Sequence, residues 1–253
     1  MIIYRLKSEN IAYDLCLPEK SNGKTVLYVP GLPGHPRRRT LGEGFANKGF
    51  VFIEMRYIGT WESEGVFTME NCLKSLDEAY LFAKGGSGIE LRCGVKKEWS
   101  TGNIIFMGSS FGGGVILSSH IKDPLTFILL APVTYLKKIK DSAVILPSGD
   151  DDIYNLIRKG YANVYRGLTK EDWMDFMDGK SVINPEQNFE NLRNKRLVFI
   201  QGKRDTTINH ADTDEFVKKL KANGVNVEFV SVENAGHGSD LEDRSVDAIA
   251  KMI

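Results

Sequence analysis

Along the chain, short runs of nearly unbroken apolar residues alternate with stretches whose apolar positions recur every three or four residues. Thr25-Val26-Leu27-Tyr28-Val29, Phe50 to Met55, Asn103-Ile104-Ile105-Phe106-Met107, Leu125 to Val133 and Arg196 to Ile200 are of the first kind. That is the pattern of strands buried on both faces of a parallel sheet. Val225 to Val232 adds a last strand, and residues 2–7 and 11–17 read as an antiparallel hairpin joined by Ser8-Glu9-Asn10. Helical patterns lie between them. They fall at about residues 38–48, from a Thr68 cap to about Lys84, over roughly 211–222, and from about 240. The Thr68 helix carries Cys72, Leu73, Leu76, Ala79, Tyr80 and Ala83 on one stripe. Residues 85–102 are glycine-rich and polar and read as a connection. The expected class is α/β, a doubly wound, mostly parallel sheet with right-handed crossovers.

Between Tyr135 and Phe189 strands vanish. One amphipathic helix is expected to carry Ile153, Leu156, Ile157, Tyr161, Val164, Tyr165 and Leu168. A second opens with the capping-box-like Thr169-Lys170-Glu171-Asp172 and carries Trp173, Phe176 and Met177. Residues 1–134 and 190–253 are therefore expected to form the core, and 135–189 a small helical lid inserted into it. Any single aromatic of the lid is expected to pack it onto the sheet before it touches a ligand.

Composition narrows the class of partner. The 33 basic residues balance 33 acidic ones, so no global field favours nucleic acid or an anionic membrane. No apolar run approaches the about 18–20 residues that span a bilayer. The amino terminus lacks the basic start and apolar core of a signal peptide, which points to a cytoplasmic protein. Cys16, Cys72 and Cys93 are odd in number and show no C-x-x-C spacing, so free thiols are expected, with Cys93 inert. Arg37-Arg38-Arg39 reads as a solvated helix start.

Candidate chemistry centres on Gly108-Ser109-Ser110-Phe111-Gly112-Gly113, set between an apolar strand and an apolar helix. A serine at the tip of a strained turn needs small neighbours two residues away on either side, because a Cβ there would clash. Such a turn lifts Ser110 Oγ above the sheet edge and aims the Phe111 N–H at a developing oxyanion. A serine hydroxyl needs a base, and the base needs an orienter. Of the four histidines, His120 lies about two turns along the elbow helix, too far to act. His35 follows a Pro-Gly loop, and His210 opens a helix. His237, in Asn234-Ala235-Gly236-His237-Gly238, is flanked by glycines at the carboxyl end of the last strand, where open sheets gather their ligands. Asp205 ends Gln201-Gly202-Lys203-Arg204-Asp205, directly after its strand. The competing Asp150, Asp151 and Asp152 fall in the lid and are explained by helix capping. A second oxyanion donor is expected in Pro30-Gly31-Leu32-Pro33-Gly34. Leu32 supplies the N–H, since Pro33 has none.

The chain order Ser110, Asp205, His237, with the motifs GSSFGG, GKRD and AGHG, resembles the α/β hydrolase superfamily of serine hydrolases along nearly the whole chain. Leu129-Leu130-Ala131-Pro132-Val133 and the loop from Arg56-Tyr57 to Gly65-Val66-Phe67 are most similar to microbial carboxylesterases of the cinnamoyl/feruloyl type. The chain also resembles the prolyl-oligopeptidase-like catalytic domain. It departs from that domain at the tyrosine oxyanion donor, where Val29 and Pro30 stand, and from the esterases at the H-G opening of the oxyanion loop. The resemblance implies catalytic Ser110, His237 and Asp205, an oxyanion hole from Leu32 and Phe111, a small-molecule ester substrate, and no metal or organic cofactor. The alternatives are a prolyl-oligopeptidase-like peptidase or acylaminoacyl hydrolase, and a binding protein that keeps the fold without turnover.

Overall fold

The computed structural model describes residues 2–36, 40–141, 154, 155, 157, 158 and 163–253. In chain order the first half comprises β1 (Ile3–Ser8), β2 (Ile11–Cys16), β3 (Lys24–Val29), α1 (Thr40–Ala46), β4 (Val51–Met55), α2 (Met69–Gly85), β5 (Ser87–Ile89), β6 (Lys96–Glu98), β7 (Asn103–Ser109) and α3 (Phe111–Leu117). There follow β8 (Thr126–Leu130), α4 (Leu136–Asp141), α5 (Lys170–Met177), α6 (Phe189–Leu192), β9 (Arg196–Gly202), α7 (His210–Ala222), β10 (Asn226–Val232) and α8 (Ser239–Met252).

Eight strands form one sheet in the order β1-β2-β4-β3-β7-β8-β9-β10. The hairpin β1–β2 and the β2–β4 pair are antiparallel, and every later pair is parallel. The uninterrupted apolar runs follow from period-two alternation with both faces covered. On β7, Ile104 and Phe106 enter one core cluster while Ile105 and Met107 enter the other. On β9, Leu197 and Phe199 part from Val198 and Ile200 in the same way. The first face is covered by α2, α3 and α7, through residues such as Leu76, Val115 and Phe216. The second is covered by α1 and α8, through Phe45, Leu241 and Ile249.

The Thr68 hydroxyl accepts from Asn71 N–H and starts α2, and left-handed Gly86 ends it. The expected connection over 85–102 contains a small antiparallel hairpin, β5–β6. From β3 the chain crosses to β4 on one side, then returns to β7 on the other. The carboxyl ends of β3 and β7 therefore lie side by side at a topological switch point, with Val29 paired to Gly108.

Between β8 and β9 the described residues contain helices and turns and no strand. The capping box at α5 is formed: Thr169 Oγ1 accepts from Asp172 N, and the Asp172 carboxylate accepts from Thr169 N. Of the other expected helix, Ile153, Leu156 and Tyr161 lie outside the described residues, as do Arg37–Arg39 and Asp150–Asp152. Val164, Tyr165 and Leu168 are not helical. Their segment is held against the loop after β4 by Arg166 N to Gly59 O at 3.0 Å and Phe67 N to Arg166 O at 2.6 Å, and Gly167 has φ +84°.

The three thiols are free, with Cys16 and Cys72 buried and Cys93 exposed. Burial, then the Asp14 and Glu54 carboxylates, push Cys16 up to about 12, and burial holds Cys72 well above the usual thiol range. A disulfide-exchange reagent at pH 8 is expected to titrate one thiol of the native protein and the other two only after denaturation. Rapid reaction of a second thiol in the native protein would contradict this placement.

Candidate active site

Ser110 sits between β7 and α3 with φ 53° and ψ −118°, a strained conformation for a non-glycine residue. Its backbone is held from all sides. Ser110 N donates to Leu130 O at 2.9 Å, and Ser110 O accepts from Gly113 N at 3.0 Å, Gly114 N at 3.3 Å and Val133 N at 2.9 Å. The glycines are steric requirements. A Cβ on Gly112 would lie 2.1 Å from Val29 O, and one on Gly108 would lie 2.6 Å from Ile116 Cδ1 and 2.7 Å from Gly112 O. The third glycine, Gly113, seats against Pro132, where a Cβ would come within 2.5 Å.

Asp205 and His237 arrive from neighbouring parallel strands and meet. His237 Nδ1 is 2.8 Å from Asp205 Oδ2, and the Asp205 side chain is fully enclosed. A carboxylate only accepts, so Nδ1 carries the hydrogen, and in the neutral ring the lone pair is on Nε2. The remaining acceptor sites of Asp205 are filled: Oδ1 accepts from Thr207 N at 2.8 Å and Ile208 N at 2.9 Å, and Oδ2 from Gln201 Nε2 at 3.0 Å. Gln201 is itself held by Ile208 O and the Thr213 hydroxyl. The histidine loop backs onto the aspartate loop through Lys203 N to Val232 O and Arg204 N to Ala235 O, both 3.0 Å. Gly202 permits that approach, since a Cβ there would meet Ala235 O at 2.3 Å. Among the described residues no hydrogen bond joins Ser110 Oγ to His237. The two side chains line one open cleft, and such contacts often close only on substrate.

The loop after β3 brings Gly31 against the elbow, where a Cβ would lie 3.1 Å from Ser110 Cβ. Neither Leu32 N–H nor Phe111 N–H donates to a protein acceptor among the described residues. Three aromatic side chains hold this loop. Tyr57 donates to Pro30 O at 2.8 Å, Trp61 Nε1 donates to Gly34 O at 3.0 Å, and Tyr165 accepts from Gly34 N at 2.9 Å. Burial pushes the Tyr57 phenol well above the usual tyrosine range, so it remains a donor. Gln201, Tyr57, Trp61 and Tyr165 were not legible as site residues. The one available signal was a polar Gln201 closing an apolar strand just before Asp205.

Two spaces flank Ser110. The cleft on the histidine side is polar, with Gly238, Ser239, and the buried pair Tyr28–Glu242, whose hydroxyl donates to the carboxylate at 2.7 Å. The second is an apolar chamber walled by Leu32, Phe111, Val133 and Ile208 from the core and by Trp173, Phe176 and Met177 from α5. The other histidines stand apart from the Asp205–His237 pair. His120 contacts Asn191, His210 contacts Ser231, and His35 packs edge-on against Trp61 at the cleft margin. No group of three or more His, Cys, Asp or Glu suited to a metal occurs among the described residues. Among the same residues no helix is long and apolar enough to cross a membrane.

Residues 150–253 match the Prolyl oligopeptidase family, and residues 7–126 match the X-Pro dipeptidyl-peptidase (S15) family. No curated protein matches the sequence. Among solved structures, the chain is similar to Est1E from Butyrivibrio proteoclasticus, with TM-score 0.64, 15% identity, and coverage of 99% of this chain and 95% of that one. It is similar to the Pyrococcus horikoshii acylaminoacyl peptidase at TM-score 0.66 and 15% identity, over 99% of this chain but 40% of the peptidase. A third is the Thermogutta terrifontis esterase Est2, with butyrate bound, at TM-score 0.58 and 16% identity, over 96% and 87%. These likenesses agree with the sheet order: the fold is that of the α/β hydrolases.

The glycine seats yield a direct test. Gly112→Ala, which drives a methyl into the Val29 carbonyl, is expected to cost at least about 2 kcal/mol in denaturant unfolding. Gly85→Ala, at the end of α2 with a Cβ that meets nothing within 4 Å, is expected to cost nothing and to stabilise by up to about 1 kcal/mol. Equal effects would refute the steric account of the motif.

Proposed function

We propose that the chain, which belongs to the α/β hydrolase superfamily of serine hydrolases, cleaves carboxylic esters through an acyl-enzyme on Ser110. The observation that carries this reading is the Asp205–His237 bond, reaching the same cleft as a serine held at φ 53°. Ser110 Oγ bonds to the ester carbonyl carbon as its proton passes to His237 Nε2. The carbonyl oxygen becomes an oxyanion and is received by the N–H groups of Leu32 and Phe111. The carbon–oxygen bond to the alcohol then breaks, and Nε2 returns the proton to the departing alkoxide. Water repeats the sequence on the acyl-enzyme, freeing the acid and restoring Ser110. Throughout, Asp205 holds Nδ1–H and stabilises the imidazolium without taking its proton.

The same proton path assigns the two spaces. The alkoxide must meet the imidazole that protonates it, so the alcohol occupies the polar cleft containing His237. The acyl group then enters the apolar chamber, which lacks His237. Residues 135–189 act as the lid, with α5 roofing that chamber. Est1E and Est2 are esterases of the same fold, which supports an ester over other acyl substrates. The two peptidase family matches favour one other reading, amide cleavage by the same machinery.

Ser110→Ala is expected to lower kcat on p-nitrophenyl esters by about 10⁴ or more while leaving the folded state intact by circular dichroism. Asp205→Asn, which reverses the tautomer preference, should lose about 10³–10⁴. Unchanged turnover in Ser110→Ala ends the assignment, and faster turnover of aminoacyl-arylamides than of short aryl esters selects the peptidase reading. Tyr165→Phe, which removes the acceptor for Gly34 N–H, should lower kcat several-fold with little change in KM. A rise in KM alone would make Tyr165 a packing residue.

A further inference from the structure

The apolar chamber beside Ser110 opens at one end. Of the residues on its wall, Leu32, Ser110 and Thr207 keep part of their surface exposed, and the rest are buried. Those three belong to the loop after β3, the turn of the serine and the loop of Asp205, so the mouth is at the reacting end. Among the described residues the wall carries no ionisable side chain. Its aromatic part leads away from the serine in steps. Phe111 follows Ser110 directly, Phe176 packs edge-on against Phe111 with ring centres 5.4 Å apart, and Trp173 packs against Phe176 at 5.6 Å. Trp173 and Phe176 are neighbours on one face of α5, a helix whose start is fixed by its capping box. Both rings are buried. A buried wall of packed rings is dense and yields little to an intruding atom.

We infer that Trp173 is a specificity-determining residue: its ring closes the far end of the chamber and sets the longest acyl chain that Ser110 accepts. The substrates are then esters of short, uncharged acids, since a charged acyl group would meet no partner on this wall. This deepens the ester reading, and it rests on that reading and on the assignment of the chamber to the acyl side. Each methylene that fits leaves water for the apolar wall and raises kcat/KM by about fourfold. The first carbon beyond that depth has to displace the indole, and overpacking reverses the gain.

The test is a series of p-nitrophenyl esters of straight-chain acids, lengthened from acetate one carbon at a time. For the wild-type protein, kcat/KM is expected to climb to a break and then to fall by about tenfold over about two further carbons. Trp173→Leu should move the break to a longer chain, and Trp173→Ala should move it by about two carbons or more. The position of the break is what is read, so a uniform loss of rate in either variant does not enter. Met174→Ala, in the same helix but off the chamber wall, should leave the break in place and controls for a loosened α5. Calorimetric binding of the same straight-chain carboxylic acids reads the depth without turnover and should break at the same length. A break that is absent, that stays put in both Trp173 variants, or that moves equally in Met174→Ala overturns the inference and leaves the ester reading standing. Absence of turnover on every ester defeats the ester reading instead, and the calorimetric series still decides whether Trp173 sets the depth.

Discussion

The site depends on how closely two pieces of backbone approach at the carboxyl edge of the sheet. The first turn of α3 lies so near the end of β3 that Gly112 has no room for a side chain beneath the Val29 carbonyl. Beside that contact the turn holds Ser110 at positive φ, a conformation that costs on the order of 1–3 kcal/mol. Backbone bonds to Leu130, Gly113, Gly114 and Val133 hold it there. The strain persists because the surrounding sheet over-determines it. It leaves the hydroxyl at the junction of two spaces rather than against the core.

Charge is managed with equal economy of movement. A carboxylate with no exposed surface, such as Asp205, is tolerable only when its oxygens are saturated with donors. Two backbone N–H groups and Gln201 supply three donors, and the imidazole supplies the fourth. The ring orientation thus follows from the needs of a buried anion, and the tautomer that suits a general base follows from the orientation. The loop after β3 is governed differently. It is pinned by aromatic hydroxyl and indole groups, and one of them, Tyr165, lies in the segment between β8 and β9, where the first lid helix was expected.

Most of the architecture was readable from periodicity. The strands, the hairpin at the amino terminus, the Thr68 cap and the α5 capping box all appear where the pattern put them. So did the convergence of Asp205 and His237, because each followed its own strand directly and strand ends share one edge. The reading failed where contacts outvoted pattern. Val164, Tyr165 and Leu168 have helical spacing, yet Arg166 in their midst bonds through its backbone to Gly59 and Phe67.

The amino-acid sequence by itself determined the class of fold and that Ser110, Asp205 and His237 each follow a strand at one edge of the sheet. Apolar periodicity and strand-end motifs report burial and position along the chain, and those suffice for that much. Only the tertiary structure decided that Gln201 closes the shell of Asp205 and that Tyr57, Trp61 and Tyr165 hold the loop after β3. Hydrogen bonds between segments far apart in sequence depend on register and on approaches of a few tenths of an ångström, and no local pattern encodes either.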